Sequence, residues 1–453
     1  MALSDLLNRL GLHRPELRAW AMYDWANSAM VTVIMTAVFP PFFSAVAAAN
    51  LAPQEATARF GIATALCIVV MALSAPLLGA IADFAGIKKR LLAAFLFLGS
   101  GAVAAMFFLQ RGDWLAAALL FMLANIGATG SFVFYDSLLP HVASVEEVDR
   151  VSTAGYALGY IGGGILLALN LLWITHPGWF GLPSGPGLSS AQATLPVRLA
   201  FLSVAVWWLV FSIPLFRRVP EPPRRLEPDE AVAQSAVRVA SARLCETFGE
   251  LRQYRHAFVL LLAFLLYNDG INTIIRMATI YGAEIGVERD TMILAVMITQ
   301  FVGVPFAFLF GLLAGWIGTK RSVILGLFVY MGITVLGYFM TNATHFLMLA
   351  ILVGMVQGGT QALSRSLFAS MIPRHKSGEL FGFFGIMERF GGVLGTGVMT
   401  TLTLLTGHSR NGILAIVVFF IVGALLLRLV DVPEGQRIAR AADAQALPAS
   451  NGP

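Results

Sequence analysis

Charged and amide side chains interrupt several long apolar stretches of this chain. The first such stretch opens with YDWANSAM and carries Asp24, and a much later one carries Arg365. A charge inside a membrane-spanning helix costs about 2.5–3.5 kcal/mol on insertion scales, so it is usually paired or faces water. If both residues face one cavity, Asp24 could bind an ammonium group or carry a proton, and the planar guanidinium of Arg365 could bind a carboxylate.

These polar side chains recur every third or fourth position, which places them on one face of each helix. Interhelical hydrogen bonding without a role in transport is the alternative, because such bonds contribute about 0.6–2 kcal/mol each. Asp24 and Asp269 are the carboxylates that we expect to carry protons. The candidate substrate-binding or coupling residues are Tyr23, Asp24, Asn27, Tyr267, Asn268, Asp269, Asn272, Gln357, Gln361 and Arg365.

The elements that must position these residues are membrane-spanning helices. Of the 453 residues, 58% are hydrophobic and 12% are charged, whereas about a quarter of the residues in soluble domains are charged. A spanning helix needs about 20 mostly apolar residues, and twelve stretches, numbered below as spans one to twelve, satisfy this. They cover residues 19–49, 60–82, 91–110, 114–135, 152–174, 198–216, 257–282, 291–315, 322–340, 346–370, 381–405 and 412–430. These runs do not alternate as β-barrel strands do, so we predict an all-α integral membrane protein.

The twelve spans divide into two groups of six. A segment beginning RRVPEPPRRLEPDEAV is too rich in Pro and Arg to cross a bilayer and marks a linker. Part of it, residues 231–255, is predicted to form an amphipathic helix on the membrane surface or, alternatively, a solvated helix. The predicted domains are a cytoplasmic N-terminus (1–18), a first six-helix bundle (19–216), the linker (217–256), a second six-helix bundle (257–430) and a flexible cytoplasmic tail (431–453).

The two halves carry a repeated motif. GAIADFAGIKKR, residues 79–90, resembles GLLAGWIGTKRS, residues 311–322, at an offset of 232, which aligns Lys88 with Lys320. YDWAN in span one is echoed by YNDGIN in span seven. Repeats in this order indicate a duplicated unit, as in many transporters, and predict two pseudo-symmetric bundles.

Basic residues predict the orientation, because Lys and Arg concentrate on the cytoplasmic side of membrane proteins. With both termini in the cytoplasm, 22 of the 30 Lys and Arg residues lie on that side and five lie in outer loops. The same asymmetry explains the net charge of +5, so no nucleic-acid partner is required. We predict a multi-pass protein of a bacterial-type inner membrane.

A second group of residues could control access to a cavity. Glycines repeat every fourth position in span five, and such faces allow close helix approach. They would provide either sliding surfaces or static tight packing. Glu388 is also a candidate to neutralise Arg365. The candidate gate or conformational residues are Gly79, Asp83, Gly86, Lys88, Lys89, Asp136, Gly155, Gly159, Gly163, Glu388 and Arg389.

The loop between spans two and three, with Gly79, Asp83, Gly86, Lys88 and Lys89, resembles the signature of the major facilitator superfamily. The second copy departs from it, since glycine replaces the aspartate there. More narrowly, YDWANSA, the FP pair at 39–40, YNDG and SRSLFA resemble the "unknown major facilitator" family, which includes vacuolar amino-acid effluxers associated with autophagy. The methionine at the end of YDWANSAM stands where an aromatic residue is expected.

This resemblance implies a central cavity lined by spans one, four, seven and ten, alternating access, and efflux of small solutes, amino acids among them. An enzyme is disfavoured, because the seven histidines lack metal-site spacing and no loop ends in Gly-Lys-Ser/Thr. We predict a monomeric secondary active transporter with a small-molecule substrate, coupled to protons, in contact with the lipid bilayer and without metal or cofactor. Lipid or drug export is the alternative, favoured if Phe and Met line the cavity; a non-transporting sensor or enzyme is another.

Overall fold

The computed structural model describes residues 3–227, 235–249 and 253–448, and these residues are almost entirely helical. Within them, eleven helices are long and apolar enough to cross a membrane. They are Pro15–Ala47, Pro53–Ala85, Lys88–Phe108, Trp114–Val142, Val148–Thr175, Leu195–Arg218, Arg255–Glu284, Asp290–Ile317, Thr319–Tyr338, Ala343–Ser370 and Ser409–Arg428. They correspond to spans one to ten and span twelve. The all-helical membrane architecture is therefore confirmed, and its one described strand pair is the two-residue pairing of Arg225–Leu226 with Leu447–Pro448.

Span eleven is broken. The prediction of one continuous helix over residues 381–405 is wrong, because the chain forms two half-helices, Ser377–Phe390 and Val393–Thr406. Between them, Gly392 has a φ of +89°, a left-handed conformation that glycine adopts without the steric cost of a side chain. The Gly-Gly pair thus permits a sharp change of direction within the membrane-spanning region.

Span one changes its helical pitch along its length. Its first half, Pro15–Ala29, is a regular α-helix that holds most of the YDWANSAM patch. Beyond it the chain forms wider π-helical turns over Met30–Val38 and Phe43–Ala47, on both sides of a Pro-Pro pair. Proline cannot donate a backbone hydrogen bond, so the regular α-helical pattern is interrupted there. Most of the polar patch consequently lies on the regular α-helical part of the span.

One apolar core joins the two halves on the face of the bundle that carries both chain termini, here called the terminal face. Trp20 and Leu139 of the first half belong to the same buried cluster as Phe264, Phe368 and Phe381 of the second. Phe264 stacks on Phe384 with ring centroids 4.4 Å apart. Because apolar burial contributes about 25 cal/mol per Å², this shared core stabilises a state in which the halves are closed together at the terminal face.

The linker and the tail both pack against the bundles. Helix Ala236–Gly249 lies in the predicted amphipathic segment, and its Val239 joins a buried cluster with Phe84 at the end of span two. The rest of that predicted helix includes residues 231–234 and 250–252, which lie outside the described residues. In place of a flexible tail from residue 431, the chain forms the helix Val432–Gln445; the last five residues, 449–453, lie outside the described part.

Candidate substrate cavity and gate

A cavity of about 400 Å³ lies between the two halves. Its wall comes from spans one, four and five of the first half and from spans seven to twelve of the second. At one end it reaches Arg365, and at the other it reaches Tyr281 and Phe346, close to helix ends on the face opposite the termini. The cavity therefore extends from the middle of the bundle towards that opposite face.

The polar end of the cavity holds an ion triad of Asp24, Asp136 and Arg365. The Arg365 Nη2 atom lies 3.1 Å from Asp24 Oδ2, and its Nη1 atom lies 2.9 Å from Asp136 Oδ1. Arg365 also donates from Nε to Ser152 Oγ at 2.9 Å and from Nη2 to the Ser152 carbonyl at 3.0 Å. Four of its five N–H donors are thus used, and the guanidinium ties span ten to spans one, four and five.

Aromatic side chains surround the triad. Tyr135 donates its hydroxyl to Asp24 at 2.9 Å and stacks on Trp20 with centroids 4.4 Å apart. The Arg365 guanidinium lies 4.9 Å from the Trp20 ring centroid, within cation–π range. Gly155 of span five packs so closely that a Cβ atom there would collide with Asp24. Removing one partner of a buried ion pair costs about 3–5 kcal/mol because the other charge is left uncompensated, so the triad is sensitive to separation of the halves.

Asp269, a predicted substrate or coupling residue, contacts the break in span eleven. Its carboxylate accepts hydrogen bonds from the backbone N–H groups of Gly392 at 2.7 Å, of Leu394 at 3.1 Å and of Gly395. These groups begin the half-helix Val393–Thr406, and the first N–H groups of a helix have no partner within it. Asp269 therefore caps the second half of span eleven from span seven.

Asn268 connects this break to the cavity. Its Nδ2 donates to the Glu388 carbonyl at 3.1 Å, and its Oδ1 accepts from Gln361 Nε2 at 3.2 Å. Asn272, one turn along, donates to the Asn268 carbonyl at 2.9 Å. Gln361 lines the cavity. A continuous chain of hydrogen bonds thus runs from the cavity wall to the last turn before the break.

The structure places the predicted substrate or coupling residues in two layers. One layer forms the cavity wall and consists of Asp24, Asn272, Gln357, Gln361 and Arg365. The other lies behind the wall and consists of Tyr23, Asn27, Tyr267, Asn268 and Asp269. In this second layer Asn27 donates to Ser131 Oγ at 3.1 Å and the Tyr267 hydroxyl lies 2.6 Å from Ser364 Oγ, so these residues connect helices.

The remaining wall is chemically divided. Near the triad it carries Glu388 and Arg389 of span eleven, whereas towards the opposite face it becomes apolar. The apolar arm is formed mainly by Ile275, Met277, Met292, Met340, Phe346, Leu349 and Ile413. A ligand that fills the cavity would therefore need a charged or polar head and an apolar body.

The terminal face is closed below the cavity by a cluster that involves the predicted gate residues. Lys88 Nζ lies 2.8 Å from Asp83 Oδ1 and donates to Ser377 Oγ at 2.6 Å. The Asp83 carboxylate also accepts from the N–H groups of Gly378 at 3.1 Å and Glu379 at 2.9 Å. These are the first N–H groups of span eleven, so the loop after span two caps a helix of the other half.

Close backbone packing accompanies this cap. Gly79 lies against Gly378, and a Cβ atom on Gly79 would collide with the Gly378 carbonyl. In the second half, a Cβ atom on Gly311 would collide with the side chain of Thr153 in span five. The two copies of the repeated motif thus each pack on the opposite bundle, as expected for pseudo-symmetric halves.

The lysines that make equivalent contacts in the two motifs are not the ones that the sequence repeat aligns. Lys320 donates to the carbonyls of Arg428 at 2.8 Å and Val430 at 2.7 Å, at the end of span twelve. In the first half the equivalent contacts, to Phe216 and Val219 at the end of span six, come from Lys89. Lys320 is therefore the structural counterpart of Lys89, although the sequence repeat aligned it with Lys88. Gly86 closes span two in a left-handed conformation, with φ of +65°.

The glycine face of span five packs against span one, within the same half. A Cβ atom at Gly159 would meet Ser28, and one at Gly163 would meet Thr32. Because a larger residue would displace span one, these glycines set the position of the helix that carries Asp24. The contacts of Gly159 and Gly163 are internal to the first bundle, whereas a Cβ atom at Gly155 would also approach Arg365 of the second.

Some residues of this site were not selected from the sequence. Ser152 and Tyr135 hold the triad, and Asp149 accepts from Thr319 and Ser366 of the second half. Asp149 and Ser152 lie three positions apart at the start of span five, so their shared face was a usable signal. Tyr135 gave no such signal, because its contact with Asp24 depends on how spans one and four pack.

The family of this chain follows from its sequence profile. The profile described as "Vacuole effluxer Atg22 like" matches residues 54–440. The chain belongs to the Atg22-like vacuole effluxer family. This agrees with the resemblance inferred from the short motifs. The matched range includes the YNDG motif of span seven, whereas the YDWANSAM patch of span one lies before it.

Two relatives illustrate the range of this family. YxiO of Bacillus subtilis (strain 168), an uncharacterized MFS-type transporter, is 34% identical over 91% of this chain and 94% of its own length. Autophagy-related protein 22 of Yarrowia lipolytica is 26% identical over 66% of this chain, which spans about half of that fungal protein, 53%. The Atg22-like chain is therefore an MFS-type transporter and a multi-pass integral membrane protein.

Solved structures support the fold. The proton:xylose symporter XylE bound to 6-bromo-6-deoxy-D-glucose matches with a TM-score of 0.66 at 15% identity, covering 95% of this chain and 97% of that one. FucP in the outward conformation matches with a TM-score of 0.66 at 13% identity, covering 92% and 100%. At these identities the likeness shows that the Atg22-like chain has the major facilitator fold, and it carries no information on substrate.

Proposed function

We propose that this protein is a proton-coupled exporter of small zwitterions with apolar side chains, of which apolar amino acids are the simplest. The observation that carries the proposal is the divided cavity, with charges of both signs at one end and an apolar arm at the other. The vacuole-effluxer description of the family supports the direction. An amino acid supplies an ammonium and a carboxylate for the polar end and an aliphatic body for the arm.

The charges at the polar end favour proton coupling. The cavity wall holds the carboxylates of Asp24, Asp136 and Glu388 against the guanidinium groups of Arg365 and Arg389. With all five groups ionised, the end carries a formal charge of −1, which one bound proton cancels. Because transferring an uncompensated charge into a low-dielectric interior is costly, proton binding would accompany movement of this region between the two faces.

The closed terminal face supports an alternating-access cycle. The motif contacts of Gly79 and Asp83 close the terminal face, while the cavity extends towards the other. If the termini are cytoplasmic, as the basic residues predict, this is an outward-facing state. A topology reporter fused after Pro453 and another inserted at residues 183–190 should then report opposite sides, and signals from the same side would contradict the twelve-span orientation.

Transport in proteoliposomes tests the function itself. We expect vesicles with an imposed proton gradient to move radiolabelled apolar amino acids, and excess unlabelled substrate to drive counterflow without a gradient. Empty vesicles and vesicles with the gradient collapsed by an uncoupler are the controls. Absence of both fluxes for every amino acid would contradict the proposal.

Lipid or drug export is the second candidate, and the apolar arm favours it. Three methionines and a phenylalanine in that arm, Met277, Met292, Met340 and Phe346, form the adaptable apolar surface that promiscuous sites use. This function predicts flux of lipophilic cations or lipid analogues that amino acids do not inhibit. Competition between a transported amino acid and such compounds separates the two candidates.

A further inference from the structure

Glu388 and Arg389, consecutive residues of span eleven, line the cavity beside the ion triad. Among the described residues, neither side chain makes an ion pair or a side-chain hydrogen bond. The Arg389 guanidinium carbon lies 5.7 Å from the Phe132 ring centroid, and its charge is balanced in part by electrostatic interaction with the adjacent Glu388. A membrane-embedded charge without a partner is costly and usually faces a water-filled pathway or a ligand. These two charges therefore need an explanation that the triad does not provide.

Arg365 is poorly placed to bind a ligand carboxylate. Four of its five N–H donors already bind Asp24, Asp136 and Ser152. A ligand carboxylate could form a two-pronged contact only by displacing a buried carboxylate from the guanidinium. Arg389 has its whole fork of donors available to such a group, and a planar guanidinium matches a carboxylate in two parallel hydrogen bonds.

The backbone of this pair is held in place although its side chains are not. The Glu388 carbonyl accepts from Asn268 at 3.1 Å, and the helix ends one residue after Arg389. Asn268 in turn accepts from Gln361 of the cavity wall. The backbone at this pair is thus hydrogen-bonded to span seven beside the break in span eleven, with amide groups nearby for further hydrogen bonds.

We propose that Glu388 and Arg389 form the substrate subsite, with Arg389 binding the carboxylate of a zwitterion and Glu388 binding its ammonium group. Arg365, Asp24 and Asp136 act as the link between the halves and do not hold the substrate. This inference rests on the proposed export of zwitterions. It replaces the prediction that Arg365 binds the substrate carboxylate, and it gives Glu388 and Arg389 a binding role in place of a gating one.

The test uses the full-length protein in nanodiscs and three ligands of similar shape. L-Leucine fits the apolar arm, L-leucinamide lacks the carboxylate, and 4-methylpentanoate lacks the ammonium group. We expect wild-type protein to bind leucine at least about tenfold more tightly than either analogue, a difference of about 1.4 kcal/mol. Arg389→Gln should remove the preference over leucinamide, and Glu388→Gln should remove the preference over 4-methylpentanoate.

Matched controls separate binding from folding. Arg437→Gln and Glu434→Gln change the same residue types in an exposed pair on the tail helix and should leave all three affinities unchanged. A purely structural role for Arg389 would weaken leucine and leucinamide equally. If Arg389→Gln does not fold, Arg389→Lys serves instead, because an ammonium lacks the planar fork and should reduce the leucine-to-leucinamide ratio severalfold.

The outcomes are distinct. Unchanged ligand ratios in folded variants would overturn the subsite and leave the proposed transport function standing. Failure of wild-type protein to bind leucine or any other amino acid would overturn the proposed function and the subsite with it. If Arg389→Gln loses the preference over leucinamide and Glu388→Gln loses the preference over 4-methylpentanoate, each charge is assigned to one end of the zwitterion.

Discussion

Asp269 caps a helix to which it does not belong: its carboxylate accepts a hydrogen bond from the Gly392 N–H at 2.7 Å, across 123 positions of sequence. Further bonds come from the N–H groups of Leu394 and Gly395. The break in span eleven is consequently held by a residue of span seven. Any motion of the second half-helix relative to the first must carry span seven with it or break these bonds.

Removing this cap should destabilise the protein without removing proton coupling. Asp269→Ala leaves three helix N–H groups without an acceptor, and we expect a loss of about 1–2 kcal/mol, seen as earlier thermal unfolding. Asp269→Asn keeps one acceptor oxygen for the N–H groups of Gly392 and Leu394 but replaces the oxygen that faces Gly395 with an amide NH2. It should therefore lose less stability than Asp269→Ala and retain pH-driven flux. Asn342→Ala, which removes the cap of span ten at His345, is the matched control for cap loss. Loss of pH-driven flux in folded Asp269→Asn would return Asp269 to the coupling role.

The tail helix should detach at acidic pH. Burial of the Asp443 carboxyl opposes ionisation, but hydrogen bonds from His375 and from the Arg374 N–H outweigh it and lower the pKa of Asp443. A lowered folded-state pKa stabilises docking above the unfolded value of about 4, and this stabilisation is lost as pH falls through the folded pKa. Spin labels at the exposed residues Glu146 and Arg440 should report a fixed distance at pH 7 and a broadened one well below pH 4.

A variant separates this effect from general acid unfolding. Asp443→Ala removes the acceptor of these bonds and should show the broadened distance already at pH 7. If wild-type protein and Asp443→Ala give the same distances at every pH, the Asp443 contacts do not hold the tail helix.

The sequence was most informative where the bilayer constrains it. Runs of about 20 apolar residues have few structural alternatives, so the positions of eleven helices were predictable. Asp24 and Arg365 were conspicuous because they interrupt such runs, and both lie in the cavity wall. The prediction of span eleven as one helix failed because Gly391 and Gly392 break it. The Gly-Gly pair is visible in the sequence, but a hydropathy average does not register it.

Partners on other helices were not predictable. The spacing of Asp269 and Asn272 places them on one face of span seven, but that spacing is the same whether the face meets a cavity or another helix. Asp269 meets the start of a half-helix whose existence depends on the break at Gly392. Likewise, Glu388 was one candidate partner of Arg365, whereas the two carboxylates that pair with it are those of Asp24 and Asp136. Only the packing of spans one, four and ten decides which carboxylate is nearest.

Bulk at Gly79 should prevent closure of the terminal face. In Gly79→Leu the new side chain collides with the backbone at Gly378, so we expect flux to fall at least about tenfold, the effect of roughly 1.4 kcal/mol against the closed state. Labels at Glu146 and Arg321, exposed on the terminal face in different halves, should move apart. Gly315→Leu is the control, because a Cβ atom there meets nothing within 4 Å. Normal flux in folded Gly79→Leu would show that this contact is dispensable for transport.

Neutralising Asp24 should separate proton coupling from substrate binding. Asp24 pairs with Arg365 at 3.1 Å and accepts from Tyr135, whereas the proposed substrate charges bind elsewhere in the cavity. Asp24→Asn keeps the shape and removes one negative charge, so pH-driven uptake should be lost while counterflow exchange persists. A ligand role for Asp24 would instead abolish both fluxes. The control is Asn342→Asp at the exposed cap of span ten. It exchanges the same two residue types in the opposite direction and should leave both fluxes intact.

Replacing Arg365 tests the other end of the triad. In Arg365→Lys a single ammonium cannot bind Asp24, Asp136 and Ser152 at the separate positions that the guanidinium reaches. One buried carboxylate then lacks its partner, and we expect a loss of about 3–5 kcal/mol in stability and loss of both fluxes. Arg198→Lys replaces a buried arginine whose guanidinium donates to the carbonyls of Phe107 and Ala191, and it controls for the loss of a planar guanidinium outside the cavity. If Arg365→Lys unfolds and transports as wild-type protein does, the triad does not link the halves.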